Sequence, residues 1–265
     1  MDTAIRLSVF AFVFICVATA EALWPRRKQS LGKQKRWPHN IGIAVLNALA
    51  VRFFLPFSLA AFALFVNQNQ WGVLPWLHMP FWADICLSLI LFDLIIYGQH
   101  ILFHKAPALW RLHRVHHADT EIDVTTAIRF HPIEIFISMG IKFAAVIVIG
   151  APPEAVLLFE IILNACAMFN HGNLRLPQKI DNILRRILVT PDMHRVHHSA
   201  IMEETNSNYG FNIPLWDRLF GTYCAQPSLG HEGMRIGLDD FRDPVEANLD
   251  KLLTQPFRQS IKSHM

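Results

Sequence analysis

The chain contains few charged residues for its length. Asp, Glu, Lys and Arg make up only 17% of its 265 residues, whereas an ordinary soluble domain carries about 25%. Hydrophobic residues account for 52% of the chain, and the mean hydropathy is positive. These values indicate a membrane protein of one substantial domain or two small ones. The net charge of +3 is too small and too dispersed to indicate a nucleic-acid partner.

Several common kinds of site are also missing. The four cysteines, Cys16, Cys86, Cys166 and Cys224, lie far apart, and no C-x-x-C motif occurs. This spacing predicts neither a disulfide framework nor a zinc–thiolate site. The chain has no G-x-G-x-x-G motif and no Walker loop, so we expect no nucleotide site.

Long apolar runs dominate the sequence, and runs of roughly 18 to 25 such residues are typical of membrane-spanning helices. They occupy residues 5–24, 41–65, 81–103 and 133–169. Gly150, Pro152 and Pro153 interrupt the last run, which predicts two helices in a tight hairpin. The first run could instead be a signal peptide, because ATAEA resembles a cleavage site; we favour an uncleaved helix. The sequence thus predicts an all-α membrane bundle of about five spanning helices.

Positive charge is distributed unevenly between the short loops. Residues 25–36 contain six Lys and Arg residues, whereas residues 67–80 contain none. Because Lys and Arg collect on the cytoplasmic side, the basic loop is expected inside, together with the segments after the third and fifth spans. The C-terminal third is predicted to form a helical cytoplasmic cap. We expect a single membrane-embedded domain with spanning helices at 1–80, a core at 81–223 and a cytoplasmic tail at 224–265.

The pentapeptide HRVHH occurs twice, at residues 113–117 and 194–198, although the flanks of the two copies are dissimilar. Residues three and four apart share a face of a helix. Each copy therefore presents three imidazoles to one side, and HILFH presents His100 and His104 together. Neutral imidazole is a good ligand for iron, copper and zinc. With one or two single histidines, these clusters supply eight to ten nitrogens, which suits two metal ions with four or five ligands each.

The order HILFH, HRVHH, HRVHH resembles the three histidine boxes of the membrane fatty acid hydroxylase and sterol desaturase superfamily. Between about Phe81 and about Tyr223, the segments FDLIIYGQHILFHKAPALWRLHRVHHAD, RFHPIE, FNHGN, TPDMHRVHH and NSNYGFNIPLWDRLFGTY also resemble segments of that family, in its order. The resemblance implies a non-haem di-iron centre held by histidine alone. The ligands that it implies are His100, His104, His113, His116, His117, His194, His197 and His198, with His171 as a ninth and His131 as a tenth.

Two polar residues precede the first histidine box at helical spacing. Asp93 and Tyr97 lie on the same stripe as His100 and His104. Asp93 could orient a ligand through a hydrogen bond from behind the metal, or it could pair with an internal cation. We count Asp93 and Tyr97 as candidates for supporting the ligands.

Four charges are expected deep within the predicted spans, where charges are rare and usually paired. They are Arg52, Asp93, Lys142 and Glu160. The number of residues between each charge and the inner end of its span places all four at a similar depth. The sequence therefore predicts Arg52–Asp93 and Lys142–Glu160 ion pairs, or one network of four.

The resemblance implies an enzyme that uses O2 to hydroxylate or desaturate a C–H bond of a lipid, such as a fatty acyl chain or a sterol. The sequence has no flavin, haem or iron–sulfur motif, so the electrons are expected from an external reductase or a ferredoxin- or cytochrome-type carrier. Five basic residues on the predicted inner face could receive an acidic carrier or anionic lipid head groups. They are Arg111, Arg114, Arg185, Arg186 and Arg195.

The residues alone leave two other functions open. One is a membrane lipid hydrolase with zinc in the same histidine cage, for which Glu134 is the nearest candidate general base. The other is a non-catalytic membrane protein that binds metal or lipid. The metal content of the purified protein separates the first of these from an iron oxygenase.

Overall fold

The computed structural model describes residues 2–259, with side chains from residue 4 onward, and the regular secondary structure of this part is helical, with two isolated β-bridges and no strand. The long helices are α1 (Asp2–Leu23), α2 (Lys33–Phe54), α3 (Leu59–Gln68), α5 (Phe81–Lys105), α7 (Pro132–Ile149) and α8 (Pro153–His171). The short ones are α4 (Leu74–Leu77), α6 (Pro107–His117), α9 (Gln178–Leu184), α10 (Pro191–His197), α11 (Met202–Thr205), α12 (Leu215–Leu219), α13 (Gly230–Gly233) and α14 (Leu249–Thr254). Five stretches are long and apolar enough to cross a membrane, which confirms the predicted fold class.

The second predicted span is not one continuous helix. The helix is interrupted between α2 and α3, within the run predicted as helical at 41–65. Pro56 lies in the break and explains it, because proline cannot donate a backbone hydrogen bond and disfavours a helical conformation at the preceding residue. Ser58 Oγ then accepts a hydrogen bond from the Ala61 amide at 3.2 Å and caps the start of α3. The break directs α3 into the bundle, where it packs against α7 and α8.

The predicted break in the last apolar run is confirmed at Gly150. This residue ends α7 in the left-handed region, with a φ of +74°, and α8 begins three residues later at Pro153. A side chain at Gly150 would collide with the carbonyl oxygen of Trp71, so this close approach requires glycine. α7 then packs mainly against α2, α3 and α5, whereas α8 packs mainly against α1, α3 and α5.

The interior of the bundle is apolar and rich in small residues. Phe92 of α5 stacks on Phe159 of α8, with ring centroids 4.9 Å apart. Ala60, Ala63 and Ala145 are buried in the same core. Small residues let helices approach closely, and in a membrane this close packing is a main source of helix association. The core thereby fixes α5, α7 and α8 relative to one another.

One end of the bundle is covered by short helices. α6 follows α5 after the single extended residue Ala106, with Pro107 as its first residue. α10 packs against α8, and the 3₁₀ turn Gln255–Phe257 packs against α6. Both HRVHH segments are therefore held in a helical cap at this end. That the cap faces the cytoplasm stays a prediction from the loop charges.

One of the two predicted charge pairs is wrong. Asp93 is buried and accepts a hydrogen bond from Trp216 Nε1 at 2.8 Å. Arg52 is exposed in the last turn of α2, and it has no ion pair or hydrogen bond within residues 2–259. The predicted Arg52–Asp93 pair fails because α2 packs against α7, while Asp93 lies on α5.

The other predicted pair is incomplete. Glu160 is buried, and its direct partner is Arg6 of α1, whose Nη2 lies 3.2 Å from Glu160 Oε1. Lys142 is near enough for its charge to interact with Glu160, but no direct ion pair joins the two in the described part of the chain. Arg6 was outside the prediction because it belongs to a different helix, α1, which packs along α8.

Candidate metal centre

Nine buried histidines form two adjoining groups, and within each group one ligand nitrogen per residue lies within 4.8 Å of the others. The first group is His100, His104, His113, His117 and His197. The second group is His116, His171, His194 and His198. The structure thus brings together nine of the ten histidines that the sequence suggested as ligands.

Each copy of HRVHH contributes to both groups. Histidines one and five of the first copy belong to the first group, together with histidine four of the second copy. Histidines one and five of the second copy belong to the second group, together with histidine four of the first copy. Each copy therefore contributes its fourth residue to the group that holds the first and fifth residues of the other copy. This arrangement accounts for the histidines at positions one, four and five of both copies, because each group uses the same three positions.

Short helices with defined starts position the second copy. Thr190 Oγ1 accepts a hydrogen bond from the Met193 amide at 3.4 Å, and Pro191 occupies the first turn. α10 then continues for two turns and ends at His197, which leaves His198 at the C-terminal cap. His194 and His198 are one turn apart on one side, so they point at the same group.

The ring nitrogens of the second group have the spacing of metal ligands. His171 Nε2 lies 3.0 Å from His116 Nε2 and 3.1 Å from His194 Nε2. Two nitrogens that are each ~2.0–2.1 Å from one metal ion lie roughly 3 Å apart when they subtend about a right angle. His171 Nδ1 donates a hydrogen bond to the Ala167 carbonyl at 2.7 Å, which leaves Nε2 as the nitrogen that could bind a metal ion.

Backbone carbonyls orient two histidines of the first group. His100 Nδ1 donates to the Tyr209 carbonyl at 2.8 Å, and His197 Nδ1 donates to the Ser207 carbonyl at 2.7 Å. The Nε2 atoms of both residues are buried without any hydrogen-bond partner. A buried polar atom without a partner is costly. These free nitrogens therefore fit a metal ion that would use their lone pairs.

A carboxylate orients a third histidine of the first group. His113 Nδ1 donates to Glu134 Oε1 at 2.6 Å, and His113 Nε2 has no partner. This is the carboxylate–histidine arrangement that fixes the tautomer of a metal-bound imidazole and raises its basicity. The sequence identified Glu134 only as the candidate base of a hydrolase, and its position three residues after His131 was the available signal.

The buried setting keeps the imidazoles of the two pentapeptides neutral. Burial lowers the pKa of the His113 imidazole to about 3. Burial, and then the neighbouring histidines, lowers the pKa of the His116 and His198 imidazoles well below the usual value. Histidine binds a metal ion only in its neutral form. The cap therefore holds these side chains in the protonation state that metal binding requires.

His131 lies outside both groups. Its Nδ1 accepts a hydrogen bond from the Ile133 amide at 3.2 Å and caps the start of α7. Its Nε2 donates to the Leu253 carbonyl at 3.2 Å. Both ring nitrogens are therefore engaged, and the structure does not place His131 among the ligands that the resemblance implies.

Asp93 and Tyr97 do not contact the histidines directly. Asp93 bonds to Trp216, and the Tyr97 hydroxyl lies 2.9 Å from Thr222 Oγ1. Both partners belong to the segment that also carries Tyr209, whose carbonyl orients His100. Asp93 and Tyr97 thus lie one step further from the histidine groups than the sequence predicted, and they contact the segment that orients His100.

A buried ionic network supports the first pentapeptide. Arg36 donates to both carboxylate oxygens of Asp119, at 2.8 and 2.6 Å. Arg129 Nε donates to the Val115 carbonyl at 2.8 Å and so connects this network to the pentapeptide itself. Burial alone would raise the pKa of Asp119, but Arg36 and Arg129 lower it to about 2. Asp119 therefore remains ionised, and sequence reasoning missed this network because its members are far apart in the chain.

Three of the five arginines predicted to receive an external partner are buried, so the prediction is wrong for them. Arg114 donates to the carbonyls of Gln255 and Arg258, Arg185 pairs with Asp181, and Arg195 pairs with Asp192. The two exposed members are Arg111, whose Nε donates to the Pro256 carbonyl at 2.6 Å, and Arg186. The buried arginines hold the cap together.

An apolar cavity of about 690 Å³ adjoins the first histidine group. His100, His113 and Glu134 line one end of it, and the remaining wall comes largely from apolar residues of the membrane-spanning helices. Gln99 and Ser138 are polar exceptions and bond to each other at 3.1 Å. A cavity of this size and composition matches the usual properties of a small-molecule site.

Comparison with known proteins agrees with this geometry. Residues 85–222, just over half of the chain, match the family model described as fatty acid hydroxylase. An ornithine lipid hydroxylase of Rhizobium tropici is 31% identical over 157 residues, which cover 57% of this chain and 46% of that protein. The alkylglycerol monooxygenase of Homo sapiens is 25% identical over 222 residues, which cover 81% of this chain and 46% of that protein.

A cholesterol 25-hydroxylase-like protein of Danio rerio is 32% identical over 143 residues, which cover 52% of this chain and 55% of that protein. The chain thus spans about half the length of these curated relatives. No solved structure matches it. The matched region contains all nine clustered histidines, and the chain belongs to the fatty acid hydroxylase family.

Proposed function

We propose that this integral membrane protein is a non-haem di-iron oxygenase that hydroxylates a lipid at a C–H bond. The observation that carries the proposal is the contact between an all-histidine group and an apolar cavity formed by the spanning helices. A lipid can enter such a cavity from the bilayer and present a carbon atom next to His100 and His113.

The donor set fits a pair of metal ions. Imidazole suits iron, copper, zinc and nickel, and groups of five and four histidines would supply complete or nearly complete coordination for two ions. Zinc has no redox chemistry, so it does not suit a relative of hydroxylases and monooxygenases. The sequence has no flavin or haem motif, and iron is the metal that the family resemblance implies.

The protein residues would bind, orient and exclude water. The apolar wall would hold the chain of the substrate, while the burial of the nine histidines keeps bulk water from the reacting carbon. Glu134 and the carbonyls of Tyr209 and Ser207 would keep the imidazoles aimed at the metal. A bound iron pair would supply the oxidation of an unactivated C–H bond with O2.

Hydroxylation of a C–H bond consumes O2, two electrons and two protons, and it releases water beside the alcohol. An external donor, such as a reductase or a ferredoxin- or cytochrome-type carrier, would supply the electrons. The charge of the loops supports a cytoplasmic metal face, which is where such a donor would dock. Arg186 is exposed on the cap and suits an acidic partner.

Hydroxylation is favoured over desaturation by the names of the relatives, which are hydroxylases and monooxygenases. The zinc hydrolase alternative is separated by the metal content and not by Glu134, because Glu134 bonds to His113 through Oε1 and has no hydrogen-bond partner at Oε2.

The test is metal analysis of the purified protein, followed by incubation with total lipid extract, an electron donor and 18O2. We expect about two iron ions per chain and one 18O atom in a lipid product. Stoichiometric zinc with turnover that does not require O2 would instead support the hydrolase. Bound metal without any change in the lipids would support a binding protein.

A further inference from the structure

The cavity beside the first histidine group is closed on one side and open on another. Ile96 and Phe103 of α5 line it and are almost completely buried, at 5% and 1% exposure. The lining residues of α1 and α2 are instead largely exposed, with values of 64% for Leu7, 63% for Ile15 and 52% for Val45. The open side of the cavity therefore lies between α1 and α2.

These two helices touch near the cap and diverge from there. The rings of Phe14 and Trp37 have centroids 5.7 Å apart, and Lys33 Nζ lies 3.1 Å from Glu21 Oε1. Beyond these contacts α1 packs along α8, whereas the spanning part of α2 packs against α7. α3 and α5 each pack against both α7 and α8, so they hold α1 and α2 apart. The result is a wedge-shaped gap whose narrow end lies at Phe14 and Trp37.

The wide end of the gap is also fixed by contacts. Arg6 of α1 pairs with Glu160 of α8 at 3.2 Å, and the rings of Phe54 on α2 and Phe136 on α7 have centroids 5.8 Å apart. The interruption at Pro56 then turns the chain into the bundle, and residues on both sides of it line a second cavity of about 540 Å³. The two cavities share lining residues on both α1 and α2, so they adjoin within the gap. The gap is therefore a built part of the fold.

The edges of the gap are two apolar stripes. They consist of exposed residues that line the first cavity, namely Leu7, Ala11 and Ile15 on α1 and Ile41, Val45 and Ala48 on α2. Within each helix these residues are three or four positions apart, so they share one face. Both helices belong to stretches that are long and apolar enough to cross a membrane. A hydrocarbon chain can pass between such edges without removing a polar group from its partners, and lipid is the molecule that surrounds them.

We propose that the gap between α1 and α2 is the entrance through which one hydrocarbon chain of a lipid passes from the bilayer to the cavity beside His100 and His113. Ala11 and Ala48 keep this entrance open, because a larger side chain at either edge would narrow it. The inference rests on the proposed function, since it names the route by which a lipid reaches that same site. It also gives a role to α1 and α2, which contribute no clustered histidine and lie outside the matched region 85–222.

The test is stopped-flow fluorescence of cis-parinaric acid, a single-chain lipid, with the purified protein in a non-ionic detergent without O2. No lipid is consumed under these conditions, so entry and exit are observed alone. Ala11→Phe and Ala48→Phe should each slow both association and dissociation by ~10-fold or more, which corresponds to a barrier higher by about 1.4 kcal/mol. The equilibrium affinity should change much less, because an entrance alters the path and not the bound state. Ala144→Phe is the matched control, because Ala144 is an exposed alanine of α7 that lines neither cavity.

Wild-type rates in both phenylalanine variants would overturn the proposal. A weaker affinity with an unchanged association rate would also overturn it, since the two alanines would then only line the binding site. Absence of probe binding to the wild type would exclude the gap as an entrance for a single chain. With O2 and an electron donor, both variants should lose kcat/KM and retain the iron content of the wild type. Entry of the probe requires no turnover, so a protein that admits the probe but incorporates no 18O would keep the entrance and refute the hydroxylation.

Discussion

Replacement of Glu134 by glutamine should weaken one metal position without removing any ligand. Glu134 Oε1 accepts a hydrogen bond from His113 Nδ1 at 2.6 Å, and both side chains are buried. A hydrogen bond to a charged group contributes about 1.5–3 kcal/mol, whereas one between neutral groups contributes about 0.5–1.5 kcal/mol. A metal cation bound at His113 would keep the carboxylate ionised; glutamine keeps the oxygen and loses that charge, so ~1–1.5 kcal/mol should be lost, which is ~10-fold in metal affinity.

The measurement is competition for bound metal by a chelator, with the metal that remains on the protein determined by elemental analysis. In Glu134→Gln, half of the metal should leave at ~10-fold lower chelator concentration, while the four-histidine group retains its ion as in the wild type. Glu154→Gln is the control, because Glu154 is an exposed glutamate at the opposite end of α8. Release curves that coincide for both variants, or an equal loss from both positions, would refute the assigned role of Glu134.

The division of each pentapeptide between the two groups makes His116→Ala and His197→Ala affect different groups, and each variant should lose about half of its metal and all O2-dependent turnover. Full metal content with normal turnover in either variant would contradict the ligand assignment. His131→Ala removes the cap of α7, so thermal unfolding should show a loss of about 1 kcal/mol with both ions retained; a missing ion would identify His131 as a ligand. A cysteine at Asn69 should react with an impermeant thiol reagent from outside and one at Ser30 should not, and the opposite labelling would place the metal centre on the other face.

The sequence was most informative where the signal is local. Residues three and four apart on a helix point the same way, so HILFH and the two HRVHH segments predicted which of their histidines would lie together without knowledge of the fold. The apolar runs predicted the spans for the same reason, since each run meets the length requirement by itself. Gly150 predicted the break before α8 because its left-handed conformation is a property of one residue.

The sequence failed where the outcome depends on which helices are neighbours. Depth along a helix placed Arg52 and Asp93 at one level, but α2 packs against α7 and not mainly against α5. Arg114 and Arg195 looked like surface charges because nothing local shows that distant segments cover them. Pro56 was a local signal for the helix break, but the long apolar run around it led to the prediction of one continuous helix.

The two HRVHH copies also explain why their flanks differ. Each copy contributes two imidazoles to one group and one to the other, which fixes histidine at its first, fourth and fifth positions. The protein around each copy is different, because the first is bonded to Arg129 of the Asp119 network, whereas Arg195 of the second pairs with Asp192 beside it. The flanking residues differ because they pack against these different surroundings. Histidines repeated within dissimilar flanks are therefore what a shared metal centre with two unrelated supports would require.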